Sequence, residues 1–302
     1  MKVLLASSSL LALPVLDYIS STDVELVGVI TMPDAPQGRG QVLSENSFAI
    51  KARDYGYQIF KPENPGELFD VLASTEADLV VTISYGRLIR ARELAKPKHG
   101  WLNIHFSLLP RWRGAAPAQR AIEAGDKKTG VTVFRLDEGL DTGPIYSTAE
   151  YEIQGDEDSQ SLLEKLAKLS TRPLAKSLEM ISMNISPTDQ TNEGTTVAPK
   201  LSKEEGRLNW NRTSAELERK IRAFSPWPRT WTQLGDLRIS IVKARASTEK
   251  LPPGSIIAGN QLIVGCGEGS IEILSLKPEG KREMSAVEWL RGARLASDSF
   301  FR

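Results

Sequence analysis

The sequence predicts an α/β chain, with a parallel sheet in its first part and a small β-barrel in its last. Three observations carry that expectation. Residues 2–30 read as strand, helix, strand, the first βαβ unit of a parallel sheet. Residues 184–200 are poor in large apolar side chains and rich in Thr, Ser, Asn and Pro, the composition of a linker. Beyond them, short apolar runs alternate with Gly/Pro turns, as in small barrels of the oligonucleotide-binding class. A length of 302 residues suits roughly two domains. The boundaries expected are 1–183 and 205–302, with 184–204 as the linker.

The elements follow in order. Lys2–Ala6 is a strand, Leu10–Ser20 a helix and Glu25–Ile30 a second strand. The stretch 1–16, a cation followed by apolar residues, has the look of an export signal. Three serines interrupt it and no small-residue cleavage site follows, so the βαβ reading is preferred. The turn after the first strand is Ser7-Ser8-Ser9, without the Gly-x-Gly-x-x-Gly of dinucleotide sites. Thr31–Val42 is a Pro/Gly-rich loop with Arg39 between two glycines, free to bring its backbone close to a partner. Ser44–Tyr55 reads as a helix with Ser44 as its N-cap, Gln58–Phe60 as a strand, Pro65–Ser74 as a helix and Asp78–Ile83 as a buried strand. Tyr85 follows and either flanks a flat ligand or caps the core.

Trp101–Phe106 is the strand around which the rest is organised. Side chains alternate along a strand, so Asn103 and His105 share a face. They lie where the strand ends, and in α/β folds ligands bind at the carboxyl ends of strands. An amide beside an imidazole can donate to an oxyanion and accept a proton. The competing reading is a satisfied structural histidine. The chain has only two histidines, which makes His105 one of very few groups that titrate near neutrality. Pro117–Ala124 is a helix with Pro at its start, and Lys128–Leu136 a strand. The loop Asp137-Glu-Gly-Leu-Asp-Thr-Gly-Pro144 holds three acids, and one of them can orient the imidazole; Asp141 is preferred to Asp137 and Glu138. Ile145–Ile153 is a strand, and Ser159–Met183 a long helix interrupted near Pro173. After the linker come a helix, Ser214–Ala223, then strands at 232–234, 237–244, 254–258, 262–264 and 270–277, and a closing helix at 285–291.

Composition is that of an ordinary globular protein: 40% hydrophobic, 25% charged, net charge zero. It calls for no membrane. From Ser186 onward there is a small excess of cations, balanced by acids before it, a hint of a polyanionic partner for the second half. Arg207, Arg212, Lys220, Arg222 and Arg229 are candidate contacts, each equally read as part of a solvated face. The single cysteine, Cys266, permits no intrachain disulfide, and with two histidines no Cys- or His-based metal site is expected. A metal-free cytoplasmic enzyme is the expectation.

With these residues assembled, the chain resembles the folate-dependent formyltransferases nearly end to end. Asn103-Ile-His-Phe-Ser-Leu-Leu-Pro-Arg-Trp-Arg-Gly-Ala-Ala-Pro117 resembles their signature, and Gly139-Leu-Asp-Thr-Gly143 their second. Lys200-Leu-Ser-Lys-Glu-Glu205, Ile221-Arg-Ala-Phe-Ser-Pro-Trp-Pro228 and Leu274-Ser-Leu-Lys-Pro-Glu-Gly280 are similar to the branch that acts on charged initiator tRNA. The resemblance implies a Rossmann-like catalytic domain and a barrel that binds tRNA. It implies 10-formyltetrahydrofolate as donor, the α-amino group of initiator methionyl-tRNA as acceptor, no metal, and a monomer. By position it makes Asn103, His105 and Asp141 catalytic, gives Ser107, Leu108, Leu109 and Pro110 to folate, and gives Arg39 to the tRNA acceptor end. The rivals are an amino-sugar-nucleotide formyltransferase, a formyltetrahydrofolate hydrolase, and a non-catalytic RNA-binding protein.

Overall fold

The computed structural model describes residues 1–37, 41–296 and 299–302. They fall into two compact units. One gathers Met1–Pro117, Lys128–Glu152 and Leu163–Val197; the other gathers Ala118–Lys127, Ile153–Leu162 and Ala198–Arg302. No helix among the described residues is long and apolar enough to cross a membrane.

In chain order the elements up to residue 198 are β1 (Lys2–Ala6), a 3-10 turn (Leu10–Ala12), α1 (Leu13–Ser20), β2 (Glu25–Ile30), β3 (Ala35–Gln37), β4 (Val42–Ser44), α2 (Ser47–Asp54), β5 (Ile59–Phe60), α3 (Pro65–Ser74), β6 (Leu79–Thr82), α4 (Ala91–Leu94), β7 (Trp101–His105), β8 (Arg113–Gly114), α5 (Pro117–Ala124), β9 (Lys128–Arg135), β10 (Ile145–Glu152), α6 (Ser159–Leu169), α7 (Thr171–Ser182) and β11 (Val197–Ala198). The main sheet of the first unit has the order β10-β9-β7-β6-β1-β2-β5. From β7 to β5 every pairing is parallel. β9 runs antiparallel to β7, and β10 antiparallel to β9, so the expected parallel sheet carries an antiparallel extension. Val3 to Ala6 and Leu79 to Val81 are fully buried. That is why these strands read as continuous apolar runs rather than alternating ones.

Several local expectations shift. The Thr31–Val42 stretch is not all loop: β3 and β4 pair antiparallel across it. Ser44 is taken into β4, and the N-cap of α2 is Asn46, whose side chain accepts from the Ala49 N–H. The long helix breaks at Ser170, close to Pro173 as expected. Pro173 sits in the first turn of α7, where a missing N–H leaves no intrahelical bond unmade. Ser7-Ser8-Ser9 forms a hydroxyl-lined turn in which Ser8 Oγ accepts from the Met32 N–H at 3.1 Å and Ser9 caps the 3-10 turn. The segment read as a linker is tied down in part: Thr188 bridges Ile145, and β11 pairs with β8.

The second unit holds α8 (Ser214–Ala223), β12 (Thr230–Leu234), β13 (Leu237–Ser247), β14 (Ile256–Ala258), β15 (Leu262–Gly265), β16 (Ser270–Pro278), β17 (Met284–Ser285) and α9 (Ala286–Leu290). Thr213 and Glu216 close a capping box at the start of α8, satisfying two amides that the helix leaves open. The sheet order is β12-β13-β16-β15-β14, with β17 on β16, and all pairings are antiparallel. Its two outer edges share one partner, residues 300–302. The Phe301 N–H donates to Gly254 O at 2.9 Å, while Arg302 and Gln233 exchange bonds of 2.9 and 3.0 Å. Gly254 has φ 78°, and a Cβ there would meet Phe301 O at 2.4 Å, so only glycine lets the two backbones approach. The interior is apolar: Ile239, Ile241, Leu262, Val264, Ile271 and Leu276 surround Trp210, which stacks on Phe301 with centroids 5.8 Å apart. Cys266 belongs to this core, and burial pushes its thiol up to about 11. It is a packing residue, as its strand-to-turn setting suggested.

Candidate active site

β7 is central in its sheet, with β6 on one side and β9 on the other. Asn103 lies opposite Thr82 and Phe134, and His105 opposite Thr132. Past His105 the chain leaves the sheet and is held by Thr132 of β9. The Thr132 hydroxyl donates to Ser107 O at 2.7 Å and accepts from the Leu109 N–H at 3.1 Å. Ser107 is wholly buried, and its hydroxyl donates to Arg111 O at 2.6 Å. Leu108 packs over Gly130, where an added Cβ would come within 2.6 Å of its Cδ2. Leu109 is buried and precedes a cis Pro110. Ser107–Pro110 forms a hydrogen-bonded corner beside His105, with side chains facing inward at Ser107 and Leu109.

His105 is 5% exposed. Its Nε2 lies 2.8 Å from the carbonyl oxygen of Trp112. A carbonyl only accepts, so Nε2 carries the proton and Nδ1 holds the lone pair. Nδ1 faces Asp141 Oδ2 at 3.7 Å, and the ring meets Phe134 edge-on. Burial pushes the imidazole below its ordinary value, opposed first by the Asp141 charge and then by the Trp112 carbonyl. At neutral pH the ring is a neutral acceptor with its open nitrogen toward a carboxylate.

Asp141 reaches this position by an indirect route. Because β9 is antiparallel to β7, Leu136 donates to Trp101 O, at the start of β7 rather than its end. Residues 137–144 must double back for Asp141 to meet His105. The turn is built for that return. Asp137 accepts from the Gly139 N–H and the Thr142 hydroxyl at 3.0 and 2.8 Å, so it serves the loop, while Asp141 serves the imidazole. A Cβ on Gly143 would sit 1.8 Å from Arg135 O, which excludes any other residue there. Asp141 has a left-handed φ of 52°, uncommon outside glycine though better tolerated by aspartate than by most residues. Its Oδ2 accepts from the Gly114 N–H at 2.7 Å.

Asn103 is half-buried, and its amide has no hydrogen-bond partner among the described residues, leaving its donors open on the face it shares with His105. Tyr85 is 4% exposed and packs among Leu4, Ala6, Ile30, Val80 and Trp101. It caps the core; among the described residues its hydroxyl has no partner, and burial pushes it up to about 12. Arg39 lies outside the described residues. Of the second unit's candidate cations, Arg222 pairs with Glu218 at 2.6 Å, Arg229 with Glu283 at 3.2 Å and Arg212 with Glu216 at 3.5 Å. Arg207 and Lys220 sit over the rings of Trp231 and Phe224. Each has a structural engagement.

Sequence reasoning missed the groups that hold these side chains. Trp112 acts through its carbonyl, at a φ of 64°, and its N–H donates to Thr196 Oγ1 at 2.8 Å. Gln190 donates to the carbonyls of Asp141 and Gly143 at 2.9 and 2.8 Å, and accepts from Arg113 at 2.7 Å. Thr196 and Gln190 stand in a polar segment whose composition reads as linker, so nothing in a single sequence marks them.

Comparison with known proteins brings the same parts together. A family model described as formyl transferase matches residues 3–178, and one described as formyl transferase, C-terminal domain, matches 200–294. A methionyl-tRNA formyltransferase from Arthrobacter sp. (strain FB24) is 36% identical over 296 residues, 97% of each chain. One from Mycobacterium avium (strain 104) is 39% identical over 297 residues, 94% of each chain. The crystal structure of WlaRD, a sugar 3N-formyl transferase in the presence of dTDP and 5-N-formyl-THF, superposes with a TM-score of 0.70. It is 20% identical and covers 93% of this chain and 99% of its own, a likeness of fold.

Proposed function

This chain belongs to the formyl transferase family, and on that premise we propose that it transfers the formyl group of 10-formyltetrahydrofolate to the α-amino group of methionine charged on initiator tRNA. Identity of 36–39% along nearly the whole chain, to relatives named for that reaction, supports the acceptor. The likeness to a sugar formyltransferase is confined to the fold. The observation that carries the chemistry is the imidazole of His105 between the Trp112 carbonyl and Asp141, two residues along the strand from an uncommitted Asn103 amide.

The donor presents a formyl carbon bound to its N10. The neutral amine attacks that carbon; a C–N bond forms and the carbonyl oxygen takes up negative charge. Asn103 donates to the oxyanion, a role worth roughly 2.7–4 kcal/mol where one donor of this kind has been removed. The amine nitrogen now carries a surplus proton. His105 Nδ1, its Nε2 already committed to Trp112, takes or relays it, and Asp141 stabilises the imidazolium. The intermediate collapses, the C–N10 bond breaks, and the proton goes to N10, directly or through water. Formyl-methionyl-tRNA and tetrahydrofolate leave. In this reading Ser107–Pro110 lines the folate side, residues 1–183 carry the chemistry, and residues 205–302 with the Arg39 loop hold the tRNA.

The test is formyl transfer from 10-formyltetrahydrofolate to charged initiator tRNA, with His105→Ala alongside. Transfer by the native protein and its collapse in the variant are expected. Release of formate with the charged tRNA untouched would replace the transferase reading by a hydrolase. Transfer only to an amino-sugar nucleotide would replace the acceptor.

A further inference from the structure

We propose that Gln190 is a positioning residue for formyl transfer, holding the backbone of Asp141 so that its carboxylate faces His105. The inference rests on the reaction proposed above, and names a residue in the segment that composition marks as linker.

The primary amide of Gln190 is fully used. Its NH2 donates to Asp141 O at 2.9 Å and to Gly143 O at 2.8 Å, clamping both sides of Thr142. Its oxygen accepts from Arg113 Nε and a terminal guanidinium nitrogen at 3.1 and 2.7 Å. Arg113 precedes Gly114, whose N–H holds Asp141 Oδ2. Gln190 thus joins the two stretches of chain that meet at the carboxylate. The clamp acts on a left-handed backbone: Asp141 has φ 52°, a conformation uncommon outside glycine, and fixing it sets where the carboxylate points. With the carboxylate already 3.7 Å from Nδ1, a further drift removes the charge that favours proton uptake.

The neighbouring bonds show that the segment is fastened on both sides of Gln190. Thr188 and Ile145 exchange backbone bonds of 2.7 and 2.9 Å just before Gln190. Beyond it, Thr196 accepts the Trp112 N–H on its hydroxyl and the Arg113 N–H on its carbonyl, at 2.8 and 2.9 Å. The same run of chain therefore supports both partners of His105: Asp141 through Gln190, and the Trp112 carbonyl through Thr196.

The experiment uses the full chain with Gln190→Leu and Gln190→Glu, each alone and with Asp141→Ala. Formyl transfer to charged initiator tRNA is measured across pH, with kcat and KM read separately. Loss of an outer positioning contact is expected to lower kcat about 10–100-fold, with both KM values within about threefold of the parent. Gln190→Glu keeps an acceptor for Arg113 but has no donor for the two carbonyls, so it falls as far. In the Asp141→Ala background, Gln190→Leu is expected to cost nothing further, since a residue acting through another is non-additive with it. An unchanged kcat, an equal loss in both backgrounds, or full activity of Gln190→Glu would each overturn the proposal. If Gln190→Leu does not fold, Gln190→Glu decides.

A second readout is independent of the acceptor. With only two histidines in the chain, NMR titration resolves His105 from His99. Gln190→Leu is expected to lower the His105 midpoint. An unmoved His105 overturns the positioning role. Failure of the native protein to formylate the tRNA, with His105 still shifted by the variant, would overturn the acceptor instead.

Discussion

His105 Nε2 and the carbonyl oxygen of Trp112 stand 2.8 Å apart, and this contact determines which nitrogen of the imidazole is open. The proton on Nε2 is committed to the carbonyl, so basicity resides at Nδ1, on the side of Asp141. Burial keeps the ring neutral until a proton arrives, and the carboxylate 3.7 Å away receives the resulting cation. Measurable consequences follow from this pair and from three other groups.

The neutral imidazole is the active form, and burial lowers its pKa. The acid limb of the kcat/KM profile is therefore expected below 6.5, the ordinary histidine value. Asp141 works against the shift, so Asp141→Asn should move that limb further down while lowering kcat by at least about 100-fold. Stability carries a matching sign. The unfolded chain binds the His105 proton first, so this group costs stability as pH falls from 6.5 toward the depressed folded value, and nothing above 6.5. A pH–rate profile of both proteins checks the first part, and urea titration of His105→Gln against the parent the second.

Among the described residues the Asn103 side chain has no hydrogen-bond partner to lose. Asn103→Ala is expected to leave the melting temperature within a degree or two and to reduce kcat by roughly 100–1000-fold, with the KM for folate little changed. Near-normal turnover would remove Asn103 from the oxyanion.

Tyr85 buries a hydroxyl that no group among the described residues satisfies. Deleting an unpaired buried donor relieves a desolvation penalty of about 1–3 kcal/mol. Tyr85→Phe should therefore be as stable as the parent or more so, by up to about 1 kcal/mol in urea unfolding. A clear loss of stability would mean the hydroxyl has a partner after all.

Glu45 accepts from Arg53 and Lys61, and Lys61 also reaches Asp34 at 2.6 Å. Hydrogen bonds from Arg53 and Lys61 push its carboxyl from 4.5 down to about 2. Because the shift is downward, its contribution is complete above 4.5 and is lost as pH falls toward 2. Arg53 is largely exposed, so solvent screening holds the expected loss in Glu45→Gln to about 1 kcal/mol at pH 7. The difference from the parent should narrow between pH 4.5 and the acid limit of folding, read from paired urea curves.

Much of this was legible in the residues, for identifiable reasons. α3 and α5 begin at prolines, a position the pyrrolidine ring favours. β7 stands out because a buried apolar run stops at a Pro/Gly-rich corner. Turn position favours Asp141 over Asp137 in the residues alone, and the fold supplies a physical reason: Asp137 bonds back into its own turn. The direction of β9 was hidden, since an apolar strand looks alike parallel or antiparallel, and with it the return path of residues 137–144. Ser44 failed as a cap because strand pairing claimed it first, a tertiary effect over a local one. Gln190 and Thr196 gave no signal, because a polar side chain in a polar segment shows its partner only once the chain is folded.

The atom that sets the tautomer of His105 belongs to the main chain, and this affects what heredity can reach. No codon change deletes a carbonyl, so a residue-by-residue scan passes over the Trp112 oxygen without exposing it. Variation acts on it only obliquely, through side chains that disfavour a φ of 64° at position 112 or through the hydroxyl of Thr196 that anchors the adjacent N–H. Position 112 should accordingly accept glycine more readily than any β-branched residue, and an indole there is required only in so far as it does something other than present that oxygen.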